Sequence, residues 1–165
     1  MPESGEEMSR MHAYCLFCET NRCSTIADII SRNFSCHCIS PQIIQRKWVK
    51  GVPIEESHDW LPGYIFLYSE EKIIPHFPIN GILRWLGNGE LTRNDLEFAK
   101  MLYQRNGIIG NVPIAQEGDL CVITDPSWHD LHGRIIKVDR GRKRCCIEYE
   151  FDGIIRRVWI GYEMN

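Results

Sequence analysis

Apolar residues along this chain recur at two periods, and the change from one to the other divides it into two parts. The first run, Ala13-Tyr14-Cys15-Leu16-Phe17-Cys18, is continuously apolar and predicts a central strand. Ile26, Ile29, Ile30 and Phe34 then fall at helical spacing, which predicts a helix from about Ser24 to Asn33, with Thr25 and Asp28 as a capping pair. A short strand is expected near Cys36–Ser40. A hairpin follows, pairing Ile43–Val49 with Val52–Glu55 across Lys50-Gly51. Trp60-Leu61-Pro62-Gly63 reads as a turn, because Pro62 presets φ and Gly63 has a permissive backbone. It feeds the strand Tyr64–Tyr68, in which Tyr64, Phe66 and Tyr68 share one face and Ile65 and Leu67 the other. Ser69–Lys72 is expected to open a short helix stopped by Pro75. Ile82–Leu86 reads as a strand ended by Gly87-Asn88-Gly89. A last helix starts at Thr92, with Leu96, Phe98, Ala99, Leu102 and Tyr103 on one arc and Arg105-Asn106-Gly107 as its stop.

Beyond Gly107 the helical period disappears. Residues 108–116 lack periodicity, contain Gly110 and Pro113, and are expected to be a linker. Glycines at 118, 133, 141, 153 and 161 then punctuate short strands. Cys145, Ile147, Tyr149 and Phe151 alternate with Cys146, Glu148, Glu150 and Asp152, which is the signature of a strand with one buried face. The expected fold class is therefore α+β. A polar tail (1–12) leads into an antiparallel sheet flanked by helices (13–107), then the linker (108–116) and a small SH3-like β-barrel (117–165).

The chain has 165 residues, 44% hydrophobic, with a formal net charge of -3. A chain with this balance is no general polyanion binder, so any nucleic-acid contact has to come from a local basic patch. No apolar run is long enough for a membrane span, and the acidic first ten residues lack the basic and apolar regions of a signal peptide. A cytoplasmic monomer is expected.

Eight cysteines raise the question of zinc, since Cys15, Cys18, Cys23, Cys36, His37 and Cys38 offer enough ligands. Strand parity points Cys15 and Cys18 to opposite faces, and the adjacent pair Cys145 and Cys146 diverges in the same way. They read as small buried hydrophobes in a reducing compartment. No metal and no cofactor are expected. P-loop, nucleophile-elbow and zinc-protease motifs are all missing from the sequence. Gly87-Asn88-Gly89 lacks the third glycine and the following helix of a dinucleotide site, and His129 and His132 read as loop residues. No enzymatic activity is expected.

Two binding surfaces remain. One is apolar: Phe17, Leu61, Tyr64 and Phe66 would share a sheet face not used by the helices. The other is basic. Arg140, Arg142, Lys143 and Arg144 crowd one turn, with Arg134 and Lys137 on the strand before it and Arg156 and Arg157 on the strand after. Arg46, Lys47 and Lys50 form a second patch beside Trp48 in the hairpin. Such runs are compatible with a merely solvated face; the alternative is phosphate binding.

The Pro62-Gly63-Tyr64 turn with its apolar strand resembles the NGN domain. Gly118–Ile123 followed by Leu131–Asp139 resembles a KOW motif. In this order and at this length the chain resembles the NusG family of transcription elongation factors, over nearly everything after about Ala13. The ending Val158-Trp159-Ile160-Gly161-Tyr162-Glu163, with Asp139-Arg140, is most similar to the specialised LoaP-type antiterminator paralogues. The resemblance implies that the apolar face docks on the clamp helices of the largest RNA polymerase subunit and suppresses pausing and termination. It also implies that the basic barrel reads a nascent RNA hairpin, giving operon specificity. A general factor of the family would instead couple the barrel to Rho or a ribosomal protein, and a third alternative is a ribosome-associated KOW protein that binds RNA. Asp125-Pro126-Ser127-Trp128-His129 departs from the general factor's Asp-Gly-Pro-Phe. Relatives also touch a second polymerase element, the gate loop, and the corresponding Lys72–Phe77 shares only a histidine, His76, with the sequence used there. One relative packs the C-terminal region as a helical hairpin, which the glycines, Pro126 and the β-branched residues here oppose.

Overall fold

The computed structural model describes residues 10–126, 128 and 133–165. Residues 1–9 of the expected tail, His129 and His132 of the expected loop, and Leu131 of the KOW-like stretch lie outside these. Two units are present. Unit 1 is formed by the described residues up to Pro41 together with Asp59–Gly107, and unit 2 by Gln42–His58 with Ile108–Asn165. The hairpin, expected in the N-terminal domain, thus belongs with the C-terminal strands.

Unit 1 holds β1 (His12–Cys18), α1 (Cys23–Asn33), β2 (His37–Ile39), β5 (Tyr64–Ser69), β6 (Ile82–Glu90) and α2 (Arg93–Gln104). Its sheet has the order β2-β5-β1-β6, and every pairing is antiparallel. Strand parity explains the core. Tyr14, Leu16 and Cys18 point to the same side as Ile65 and Leu67, and the Ile26, Ala27 and Ile30 stripe of α1 packs there. On the other face Phe98 of α2 stacks on Phe66 with ring centroids 5.6 Å apart, and Tyr103 meets Tyr68 at 4.8 Å. The Tyr68 hydroxyl donates to the Ala99 carbonyl, which satisfies its one polar atom in a fully buried place.

Three local expectations are corrected. Helix α1 starts at Cys23, so Thr25 lies inside it, and neither α1 nor α2 has a side-chain cap hydrogen bond. Residues 69–72 form no helix: Ser69 Oγ accepts from Glu71 N–H, and the Tyr14 hydroxyl accepts from Ile73 N–H, so one local and one tertiary bond take the place of those of a helix. Strand β6 runs through Gly87 and Gly89, both at positive φ, with irregular register against β1.

Gly107 ends α2 at φ +76, and its N–H bonds the Leu102 carbonyl at 2.8 Å. A Cβ there would sit 2.1 Å from Ile39 Cγ2. Gly107→Ala should therefore destabilise unit 1 by about 1–3 kcal/mol, read as a lowered denaturant midpoint; an unchanged midpoint would show that the turn is not constrained.

Unit 2 combines mixed sheets. β3 (Gln42–Val49) and β4 (Val52–Asp59) form the hairpin, with Lys50 and Gly51 both at positive φ, as a two-residue turn that follows the strand twist requires. β7 (Ile108–Ile109) pairs parallel to β3. β8 (Val112–Glu117), β9 (Leu120–Ile123), β10 (Arg134–Asp139), β11 (Arg144–Phe151) and β12 (Ile154–Met164) make a sheet of order β10-β11-β12-β8-β9, and β9 returns beside β10. The result is a nearly closed, barrel-like sheet. Residues 108–116 are thus not a linker but contribute β7 and most of β8. Pro113 lies inside β8, and its carbonyl accepts from both the Thr124 N–H and hydroxyl. In β11 the expected inward set of Cys145, Ile147, Tyr149 and Phe151 is buried, and so is Cys146. No helix among the described residues is long and apolar enough to cross a membrane.

Candidate functional site

In unit 1 the turn before β5 is built as its residues dictate. Tyr64 N–H bonds the Leu61 carbonyl at 3.0 Å, Pro62 fills the second position, and Gly63 takes φ +95 in the third. This is a type II turn. Gly63 is also close-packed, since a Cβ there would meet Phe17 Cε2 at 3.0 Å and the Cys18 carbonyl at 3.3 Å.

The turn sets Tyr64 opposite Phe17, and the two rings meet edge-to-face at 5.3 Å. Arg84 of β6 lies over the Phe17 ring at 5.2 Å. Both rings are partly exposed. Further along the same face, however, Phe66 is 0% exposed beneath Phe98, and Leu61 is 6% exposed. Trp60 joins them, 4.9 Å from Phe98. The four aromatic and aliphatic residues expected on a bare face therefore separate. Phe17 and Tyr64 reach the surface, while Leu61 and Phe66 are buried, Phe66 beneath Phe98 of α2, whose apolar arc needs a partner as much as the sheet does. Leu83 and Trp85 of β6, which sequence reasoning left as ordinary strand residues, are exposed. The Lys72–Phe77 segment is irregular and lines a groove of about 530 Å³ with Phe34, Cys36, Glu70 and Glu71.

Unit 2 rearranges the basic residues more strongly. Gln45 Nε2 donates to the Trp159 carbonyl, joining β3 to β12. Gly161 approaches Ile44 closely enough that a Cβ would lie 3.7 Å from its carbonyl oxygen. With the hairpin held there, Arg46, Lys47 and Trp48 line one groove of about 550 Å³ together with Arg142 and Arg144. A smaller adjoining hollow of about 280 Å³ adds Pro53, Glu55 and Lys143. The two basic segments, expected in separate domains, become one surface. The β10–β11 turn is shaped by its own residues, as Asp139 Oδ1 accepts from Arg142 N–H at 3.1 Å and Lys143 takes φ +50. Arg144 lies over the Trp159 ring at 5.6 Å.

The other expected cations are placed elsewhere. Arg134 and Arg157 both bind Glu148, at 2.9 and 3.4 Å, and the Arg134 hydrogen bond leads in holding that carboxyl below its usual range. Arg140 donates to Gln116 at 3.0 Å. Lys50 and Lys137 are exposed. Gln45, Glu56 and His58 complete the groove and were not among the expected binding residues, whereas Trp48 was expected beside the hairpin cations. The one signal for Trp48 was a large indole in a polar hairpin strand.

Burial decides the state of the thiols. It raises Cys18 to about 12, with Cys23 as a lesser cause, and Cys145 to about 12, with Cys146 adding to it. Cys38 is raised further. Such thiols carry almost no thiolate at neutral pH and are poor nucleophiles.

No protein-family model and no curated protein matches this chain. Among solved structures, the one describing domain interaction in Thermotoga maritima NusG aligns with a TM-score of 0.54, covering 93% of this chain and 95% of that one at 12% sequence identity. The chain has a NusG-like fold. Within this NusG-like fold, the partly exposed Phe17–Tyr64 pair and the basic groove are carried by different units.

Proposed function

We propose that this chain is a transcription elongation factor that binds RNA polymerase through unit 1 and acts as an antiterminator. In this reading Phe17 and Tyr64 dock on the clamp helices of the largest polymerase subunit, and holding the clamp closed suppresses pausing and termination. The factor performs no chemistry; it biases polymerase between states through its differential affinity for them. Unit 2 supplies specificity by contacting a nascent RNA hairpin, which confines the effect to particular operons. The fold likeness across nearly the whole of both chains is the observation that carries the reading. A partly exposed aromatic pair beside an arginine, the residue types favoured at interface anchors, supports the docking site.

Transcription in vitro through an intrinsic terminator tests it. Added protein should raise read-through on templates carrying the cognate leader and not on those with the leader scrambled. Equal read-through on both would indicate a general elongation factor, and reduced read-through would refute antitermination. Phe17→Ala combined with Tyr64→Ala should weaken co-purification with core polymerase by about tenfold or more, while far-UV circular dichroism stays unchanged. Undiminished association would remove these residues from the interface.

A further inference from the structure

We propose that the groove between the β3–β4 hairpin and the β10–β11 turn binds a short single-stranded segment of nucleic acid. An unpaired base stacks on Trp48, and the neighbouring phosphates lie against Arg46, Lys47, Arg142 and Arg144. The inference rests on the nucleic-acid part of the reading above and gives that site its ligand class.

Three observations carry it. The first is convergence. Cations far apart in sequence line a single groove because β3 pairs in parallel with β7 and Gln45 bonds to β12. The second is the balance of charge. Five cations (Arg46, Lys47, Arg142, Lys143 and Arg144) face two carboxylates, Glu55 and Glu56, across the groove and its adjoining hollow. Those carboxylates form ion pairs with Arg46 at 3.9 Å and Lys47 at 3.2 Å. Each pair has one exposed partner and is open to solvent screening, so the cations can turn to phosphate at small cost.

The third observation is Trp48, which is 44% exposed in the middle of the basic wall. A partly exposed indole among cations offers a face on which a base can stack. Stacking also decides between ligands. Paired bases within a duplex hide their faces, so a duplex could use only the cations, whereas an unpaired base uses the indole as well. A volume of about 550 Å³ suits one or two nucleotides rather than a helix.

Fluorescence anisotropy on the full chain, without polymerase, tests this. The probes are a labelled twelve-nucleotide unstructured RNA, the DNA strand of the same sequence, and the blunt RNA duplex. The single strands should bind at least about tenfold more tightly than the duplex, with a salt dependence corresponding to about three phosphates. Trp48→Ala should weaken single-strand binding by about 5- to 100-fold and leave duplex binding unchanged, and Trp48→Phe should keep most of the affinity. The preference between the RNA and DNA strands identifies the sugar, and hence transcript or displaced DNA as the source. Duplex binding as tight as single-strand binding overturns the proposal, and so does full affinity in both Trp48 variants. Polymerase co-purification measured on the same variants keeps the two readings apart. Lost strand binding with polymerase association intact is a failure in the groove alone. Strand binding without polymerase association leaves the groove standing and removes the elongation role.

Discussion

Phe66→Ala should destabilise unit 1 by about 3–5 kcal/mol, whereas Tyr64→Ala, two residues earlier on the same face, should cost far less. The difference follows from what covers each ring. Phe66 is fully buried, stacked on Phe98, which in turn packs on Trp60. Truncation there removes a large apolar side chain from water-free surroundings and leaves a cavity between sheet and helix that neither can collapse to fill. Tyr64 is partly exposed and its ring meets Phe17 edge-on, so solvent can occupy the space it leaves. Native-state hydrogen exchange of the β5 and α2 amides would report the loss directly. Phe66→Ala should accelerate both elements together, because Tyr68 ties β5 to the Ala99 carbonyl of α2. Under the proposed docking, lost polymerase binding in a Phe66 variant would reflect an unfolded unit 1, and Phe17 and Tyr64 variants are the ones that probe the proposed contact. Protection unchanged in Phe66→Ala would mean that α2 does not rest on this face.

Trp128→Ala should destabilise unit 2 by a similar amount, about 3–5 kcal/mol, and Trp128→Phe by less than about 1.5 kcal/mol. Trp128 is 1% exposed, the largest fully buried side chain among the described residues, and its ring meets Tyr149 of β11 edge-on at 6.3 Å. Gly133 closes over it: Gly133 N–H bonds the Trp128 carbonyl at 2.8 Å, and a Cβ on that glycine would stand 2.8 Å from the same oxygen. In the sequence this tryptophan stood only as a departure from the motif of a general elongation factor. In the fold it packs into the barrel-like sheet against Tyr149. Urea unfolding followed by exchange of the β11 amides would measure the effect. A Trp128→Ala protein as stable as the parent would show that the sheet packs without it.

The elements legible in advance were those whose cause is local. The Leu61-Pro62-Gly63-Tyr64 turn follows from one fixed φ and one glycine at positive φ. Strand β11 follows from its period of two, and α1 and α2 from their apolar arcs. The misreadings share a different cause. Residues 108–116 carry no period because β7 and β8 lean on partners distant in sequence, β3 and β12. Residues 69–72 had helix-compatible chemistry, yet hydrogen bonds to Ser69 and Tyr14 from the following segment hold them out of a helix.

The candidate surfaces divide along the same line. That Phe17 and Tyr64 share a face, and that arginines crowd the β10–β11 turn, follow from neighbours along the chain, since strand parity and turn geometry are set within a few residues. That Phe66 on the same face is sealed while Phe17 and Tyr64 stay in contact with water depended on where α2 came to lie. The joining of Arg46 and Trp48 to Arg142 depended on the parallel pairing of β3 with β7 and on one bond from Gln45 to Trp159. Both are contacts between segments remote in sequence, and no local window of residues specifies them.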